Sequence, residues 1–138
     1  ADPDGQALTM LEKLTPAAMP APFAKYSHAV VVPAGTRMLF CSGQLGLAPD
    51  GAIPDSAEAQ ADLCFAAIGH MLAAAGMDMA DIVRINAFVT DRAHMAGYMA
   101  SRDRHVAGPP PASTLMIVSG FTKPEFKVEV EVVAARAG

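Results

Sequence analysis

The stretch Lys127-Val-Glu-Val-Glu-Val132 constrains this fold more than any other segment. Successive side chains of a strand point to opposite faces. Val128, Val130 and Val132 therefore share one face, and Lys127, Glu129 and Glu131 share the other. A strand of this kind belongs to a sheet whose one side is covered and whose other side is partly polar. The rest of the chain must supply the cover.

The remaining elements follow from local signals. His28–Val32 is apolar and β-branched and predicts a strand. Pro33-Ala-Gly35-Thr is a turn, and Arg37–Ser42 predicts a second strand that pairs with the first as a hairpin. A short turn of helix or strand is expected near Thr9–Leu14. Pro49-Asp50-Gly51 marks a turn, because Pro fixes φ and Gly accepts a positive value. Asp55 with Glu58 reads as a capping box opening a helix. Cys64, Ala67, Ile68, Met71, Leu72 and Ala75 recur at helical spacing, and Gly76 is placed to end the helix.

Asp81–Thr90 reads as a strand with Val83, Ile85, Ala87 and Val89 on one face and Arg84, Asn86, Phe88 and Thr90 on the other. Asp91 caps a second helix running to about His105, with Met95, Tyr98, Met99 and Arg102 along one side. Gly108-Pro-Pro-Pro111 stops it. Thr114–Ser119 and Lys127–Ala134 complete the set. The order β-β-α-β-α-β-β predicts an α+β two-layer sandwich, a mixed sheet with two helices on one face. Residues 1–21 read as an extension packed on the surface and residues 22–138 as a single domain.

The chain has 138 residues, of which 52% are hydrophobic. A domain this size hides only about two-thirds of its extended-chain surface. The surplus apolar content, and a second sheet face left without helices, predict association through that face. Net charge is −4. The densest basic stretch, Arg102-Asp103-Arg104-His105, contains its own counter-charge, so nucleic acid is not expected as a partner. No apolar run reaches the ~18 residues that span a bilayer. The N-terminus, Ala1-Asp2-Pro3-Asp4-Gly5, lacks the basic start of a signal peptide. Cys41 and Cys64 lie inside apolar segments and read as reduced core thiols. These features predict a cytoplasmic protein with no membrane partner.

Four segments follow one another along the chain: Tyr26-Ser-His-Ala-Val30, Leu39-Phe-Cys-Ser-Gly-Gln44, Ala73-Ala-Ala-Gly76 through Asp81–Asp91, and Pro111-Ala112 through Val128–Val132. Together they resemble the RidA/YjgF family of reactive intermediate deaminases. The resemblance spans about residues 22–136. It implies a chorismate-mutase-like fold, a homotrimer with clefts between subunits, and hydrolysis of imines or enamines to a keto acid and ammonia without cofactor or metal. It also implies a small-molecule metabolite as the partner.

Carried over by position, the water-directing glutamate matches Glu129, the catalytic candidate. Tyr26 matches the pocket tyrosine, and Ser42 and Gly43 match the Ser-Gly pair. The arginine that grips the substrate carboxylate falls on Ser113, followed by Thr114. Tyr26, Ser42, Gly43, Phe88, Ser113 and Thr114 are thus the substrate-binding candidates. The segment from Ser113 to Glu129 is about one residue longer than usual, which a bulge or longer turn near Gly120–Pro124 would absorb.

The departure at Ser113 matters chemically. A guanidinium grips a carboxylate with two charge-assisted bonds, whereas a hydroxyl gives one neutral bond. Loss of the charge predicts weak handling of small 2-imino acids, unless the substrate lacks a carboxylate or is larger, or Arg102 or Arg104 enters the cleft instead. His28, His70, His94 and His105 show no metal-ligand spacing, and no metal site is expected. Two functions remain open: a deaminase-like hydrolase using Glu129, and a trimer that binds a small metabolite without turnover.

Overall fold

The structure is a computed structural model and describes residues 11–138. Its elements in chain order are β1 (Glu12–Leu14), β2 (Ala29–Val31), β3 (Thr36–Phe40), β4 (Gln44–Leu45), α1 (Ala57–Ala74), β5 (Ile82–Val89), α2 (Met95–His105), β6 (Ala112–Ile117) and β7 (Val128–Ala137). A five-stranded mixed sheet runs in the order β3-β7-β5-β6, with β4 pairing alongside β7. β5 and β6 are parallel, and the other pairings are antiparallel. Both helices cover one face, as the sequence pattern predicts.

The core forms where the alternation places it. Val128, Val130 and Val132 of β7 are buried against Cys64, Phe65, Ile68 and Leu72 of α1. Each large side chain buried in this way contributes roughly 1.5–3 kcal/mol. That stripe, more than helix propensity, holds α1 on the sheet. Gly76 follows the helix with φ +72°, the left-handed conformation its position requires.

Four expectations need correction. First, the hairpin of His28–Val32 with Arg37–Ser42 does not form. β2 pairs with β1, and β3 pairs with the far end of β7, from Thr36 opposite Ala137 to Phe40 opposite Val133. The physical reason is the length of β7, which continues past Ala134 to Ala137 and offers β3 a ladder. The Thr9–Leu14 expectation is met by β1 from Glu12 onward; Thr9 itself lies outside the described residues. Second, Ser56 caps α1, accepting from the Ala59 amide at 3.0 Å. Asp55 is exposed and turns to Lys127, and Glu58 pairs with Arg104, so no capping box forms there. Third, an irregularity between Ile82 and Arg84 puts Ile82, rather than Val83, in the core. Fourth, β4 is a short strand that the sequence pattern did not announce.

The other sheet face carries no helix among the described residues. Met38, Phe40 and Met116 on it are 46%, 73% and 52% exposed, an unusual amount of bare apolar surface for one sheet. No helix among the described residues is long and apolar enough to cross a membrane.

Candidate functional site

The predicted site residues fall into two groups, one on each side of the sheet. The first lines a cleft of about 550 Å³ between α2, β6 and the segment Phe23–Tyr26. Gly108-Pro-Pro-Pro111 ends α2 and turns the chain back into β6, which places the helix and the strand side by side. Ser27 fixes the outer wall. It is buried, its amide donates to the Pro111 carbonyl at 2.9 Å, and its hydroxyl donates to the Pro110 carbonyl. Tyr26 follows from that anchor and stands edge-on to Phe23 at 5.9 Å and to His28 at 5.7 Å.

Ser113 faces into this cleft. It is level with Ile85, a core residue on the helix-covered face. Met95, Met99 and Arg102 of α2 form the opposite wall. Arg102 is only 5% exposed, with its guanidinium carbon 5.9 Å from the centre of the Tyr98 ring. Its Nε and Nη2 both donate to Asp103 Oδ1 at 3.1 Å. Nη1 has no partner among the described residues. Arg104, the other arginine considered, points elsewhere. It donates to Glu58 and Asp62 of α1 and is half exposed.

Tyr98 is fully buried beneath the same wall, and its hydroxyl has no hydrogen-bond partner among the described residues. Burial pushes the phenol far up, while the Arg102 charge and the nearby Ser113 hydroxyl pull it down. The Ser113 hydroxyl is thus the group nearest to sharing a hydrogen bond with Tyr98, outside ordinary bond geometry. A buried hydroxyl left unpaired is uncommon and calls for an explanation.

The second group surrounds Glu129 on the open face. Glu129 is level with Phe88 on β5 and Leu45 on β4. It is partly buried and has no hydrogen bond or ion pair among the described residues. Burial, then the neighbouring Glu131, raises its carboxyl above the usual range. Lys127, the partner that would have made it an ordinary solvated carboxylate, turns to Asp55 instead. Gly43 presses directly on it. A Cβ at that position would lie 2.7 Å from Glu129 Cδ, so only glycine leaves the carboxylate where it is. Ser42 is exposed beside it, and its carbonyl accepts from Gln44 Nε2 at 3.0 Å.

Thr114 borders the cleft, but its hydroxyl belongs to the open face. It accepts from Arg84 Nη2 at 2.6 Å, Arg84 Nε donates to Asn86 Oδ1 at 2.9 Å, and Asn86 Nδ2 donates to Glu131 Oε1 at 3.2 Å. This chain of bonds stiffens the open face across β6, β5 and β7. Tyr98 was missed as a site residue. The available signal was the α2 stripe of Met95, Tyr98, Met99 and Arg102, where a charge interrupts an otherwise apolar row.

A lined cleft on one face, and on the other a carboxylate with no partner among the described residues, make up the candidate site on this α+β sandwich. The sequence matches the family described as Endoribonuclease L-PSP over residues 16–136. It is 34% identical over 117 residues to Protein DfrA of Myxococcus xanthus, covering 83% of this chain and 88% of that one. It is 30% identical over 105 residues to "Putative reactive intermediate deaminase TdcF" of Escherichia coli, covering 72% and 80%. Among solved structures, YyfB of Yersinia pestis, described as a conserved Rid family protein of unknown function, superposes with a TM-score of 0.77 at 25% identity, covering 90% of this chain and 97% of that one. The chain belongs to the RidA/YjgF family.

Proposed function

We propose that this protein hydrolyses a reactive imine or enamine, or a related small metabolite, as a cytoplasmic homotrimer in which Glu129 directs the attacking water. The observation that carries the reading is the state of Glu129, a partly buried carboxylate of raised pKa, without a paired cation among the described residues and held against Gly43. Such a group is a stronger base than an ordinary glutamate and can accept a proton from water. The deaminase name carried by the relative TdcF is consistent with it.

The steps balance without a further reagent. Glu129 accepts a proton from water as the water oxygen bonds to the imine carbon and the C=N π electrons move to nitrogen. Proton transfer to that nitrogen gives a carbinolamine. Its C–N bond then breaks as the carbon–oxygen double bond forms, releasing ammonia and a carbonyl compound.

The trimer enters for a geometric reason. Glu129 and the Ser113 cleft lie on opposite faces of one chain's sheet. A substrate held in the cleft meets a Glu129 only if another copy supplies it across the bare open face. The second reading is a trimer on the same scaffold that binds a small metabolite without turnover, as a sensor or carrier.

The test is imine hydrolysis across a panel. An amino-acid oxidase generates 2-imino acids in the presence of semicarbazide, which traps whatever escapes. Accelerated loss of any imine, abolished by Glu129→Ala in a folded protein, is the expected result. No acceleration by wild type on any member of the panel would leave the binding reading.

A further inference from the structure

We propose that Glu131 is a positioning residue for Glu129: clamped by Asn86 and Arg84, it holds a second negative charge on the open face and leaves Glu129 as the member of the pair that carries the proton. The proposal rests on the reading of Glu129 as the base and names what tunes it.

Three observations carry it. The first is placement. Glu129 and Glu131 are alternate residues of β7 on the same face, so their Cα atoms are about 7 Å apart. Both are partly buried. Two carboxylates that close repel, and the one with the poorer surroundings takes the proton. The second is the clamp. Asn86 lies directly opposite Glu131 on β5 and donates Nδ2 to Glu131 Oε1 at 3.2 Å. Its other polar atom is engaged, because Oδ1 accepts from Arg84 Nε at 2.9 Å. Arg84 is tied in turn to the Thr114 hydroxyl at 2.6 Å. The amide is therefore held with its donor toward Glu131. A donor favours a carboxylate over a carboxylic acid, so Glu131 keeps its charge.

The third observation is what surrounds Glu129. Leu45 of β4 and Phe88 of β5 are level with it, and Met116 of β6 lies beyond Phe88. None of these carries a charge. Lys127 of its own chain segment turns to Asp55. Arg84 is held by Asn86 and Thr114, a full four residues along β5 from Phe88. Beneath the sheet, Cys64 of α1 donates to the Gln44 carbonyl at 3.1 Å. Burial, then Glu129, pushes that thiol up to about 12, so it is neutral. Glu131 is thus the charge that Glu129 meets on this face among the described residues. The direction of the Glu129 carboxyl agrees: burial first and Glu131 second raise it.

The experiment follows the Glu129 carboxyl carbon by NMR as pH is varied, on the full chain in its native assembly, isotopically labelled at glutamate Cδ. Glu131→Gln removes the charge and keeps the shape. The Glu129 midpoint should move to lower pH yet stay above that of an ordinary glutamate, because burial remains. Glu131→Asp keeps the charge and should leave the midpoint close to that of wild type. Asn86→Val suits a central strand and frees the Glu131 carboxylate. It should move the midpoint in the same direction as Glu131→Gln, and it serves where that variant does not fold. In hydrolysis, the acid limb of the Glu131→Gln rate profile should slide to lower pH while the plateau falls a few-fold, a weaker base being a slower one. Lost packing alone would lower the rate at every pH alike. A Glu129 midpoint that ignores Glu131→Gln, or that moves as far with Glu131→Asp, would overturn the proposal. The titration needs no turnover, so its failure and silence on the hydrolysis panel are separate results.

Discussion

Ser113 and Glu129 point away from each other through the same sheet. Ser113 is level with Ile85 and Val132 on the helix-covered face, and Glu129 is level with Phe88 and Met116 on the open face. If the reaction needs both, each site draws its halves from two chains. Glu129→Ala and Leu115→Trp, the latter filling the cleft, should each be inactive alone. Co-expressed, they should recover activity, up to about a quarter of the sites in a randomly mixed ring carrying both intact halves. Mixed assemblies as inactive as the parents would place the whole site in one chain.

The raised pKa of Glu129 has a definite sign. The folded state holds this proton more tightly than the unfolded chain. The resulting stabilisation is complete below the ordinary glutamate range and is lost as pH rises through the higher, folded value. Glu129→Gln is neutral throughout. It should melt at a higher temperature than wild type near neutral pH, and the difference should shrink on acidification. The hydrolysis rate should fall on the acid side at a pH above that of an ordinary glutamate, since the base must be ionised to accept a proton. Melting curves that differ by a constant amount at every pH would count against a perturbed Glu129.

Gly43 and Gly46 separate function from folding. A methyl on Gly43 meets the end of a flexible side chain, the Glu129 carboxylate, which can swing aside. Gly43→Ala should therefore fold normally and lose activity on the order of 100-fold through a misplaced base. A methyl on Gly46 meets Gln60 Cβ at 2.4 Å and its Cα at 2.7 Å, against the backbone of α1. Gly46→Ala should cost roughly 1–3 kcal/mol of stability. Thermal melts and rates on the two variants test both halves of this statement.

Gln60 is fully buried, with every polar atom of its amide engaged. Its Nε2 donates to the carbonyls of Pro54 and Glu125, and its Oε1 accepts from the Lys127 amide at 2.8 Å. It ties the loop before α1 to the start of β7. Gln60→Ala would take the side-chain partner from three backbone groups in a partly buried setting, a loss on the order of 2 kcal/mol. Denaturant titration would show it, and loosening the entry to β7 should also lower activity at Glu129.

The strands and helices were legible because alternation and helical spacing dictate which side chains can be buried together. Val128, Val130, Val132, Ile68 and Leu72 all lie where those periods put them. Pairing was less legible. Nothing local in Arg37–Ser42 says that its partner is the distant end of β7 rather than the strand just before it. The candidate site was legible as residues but not as geometry. Position in a motif singled out Ser113 and Glu129, yet only the parallel register of β6 on β5 shows that they face opposite sides. Gln60 and Tyr98 carried no sequence signal beyond being a polar group and a phenol on apolar stripes.

Ser113→Arg puts a charge where the chain has a hydroxyl. A new arginine at this position would enter the cleft beside buried Arg102, and two guanidinium groups in that space repel. The empty variant should melt below wild type. A small 2-oxo acid such as pyruvate would then find two cations within reach, and at about 100 times its Kd it should restore roughly 2.7 kcal/mol by mass action. Adding Arg102→Met should remove the repulsion and return the empty protein to a near-normal melting temperature. If Ser113→Arg melts like wild type, the new side chain is pointing out of the cleft, and Arg102 has no cation to contend with there.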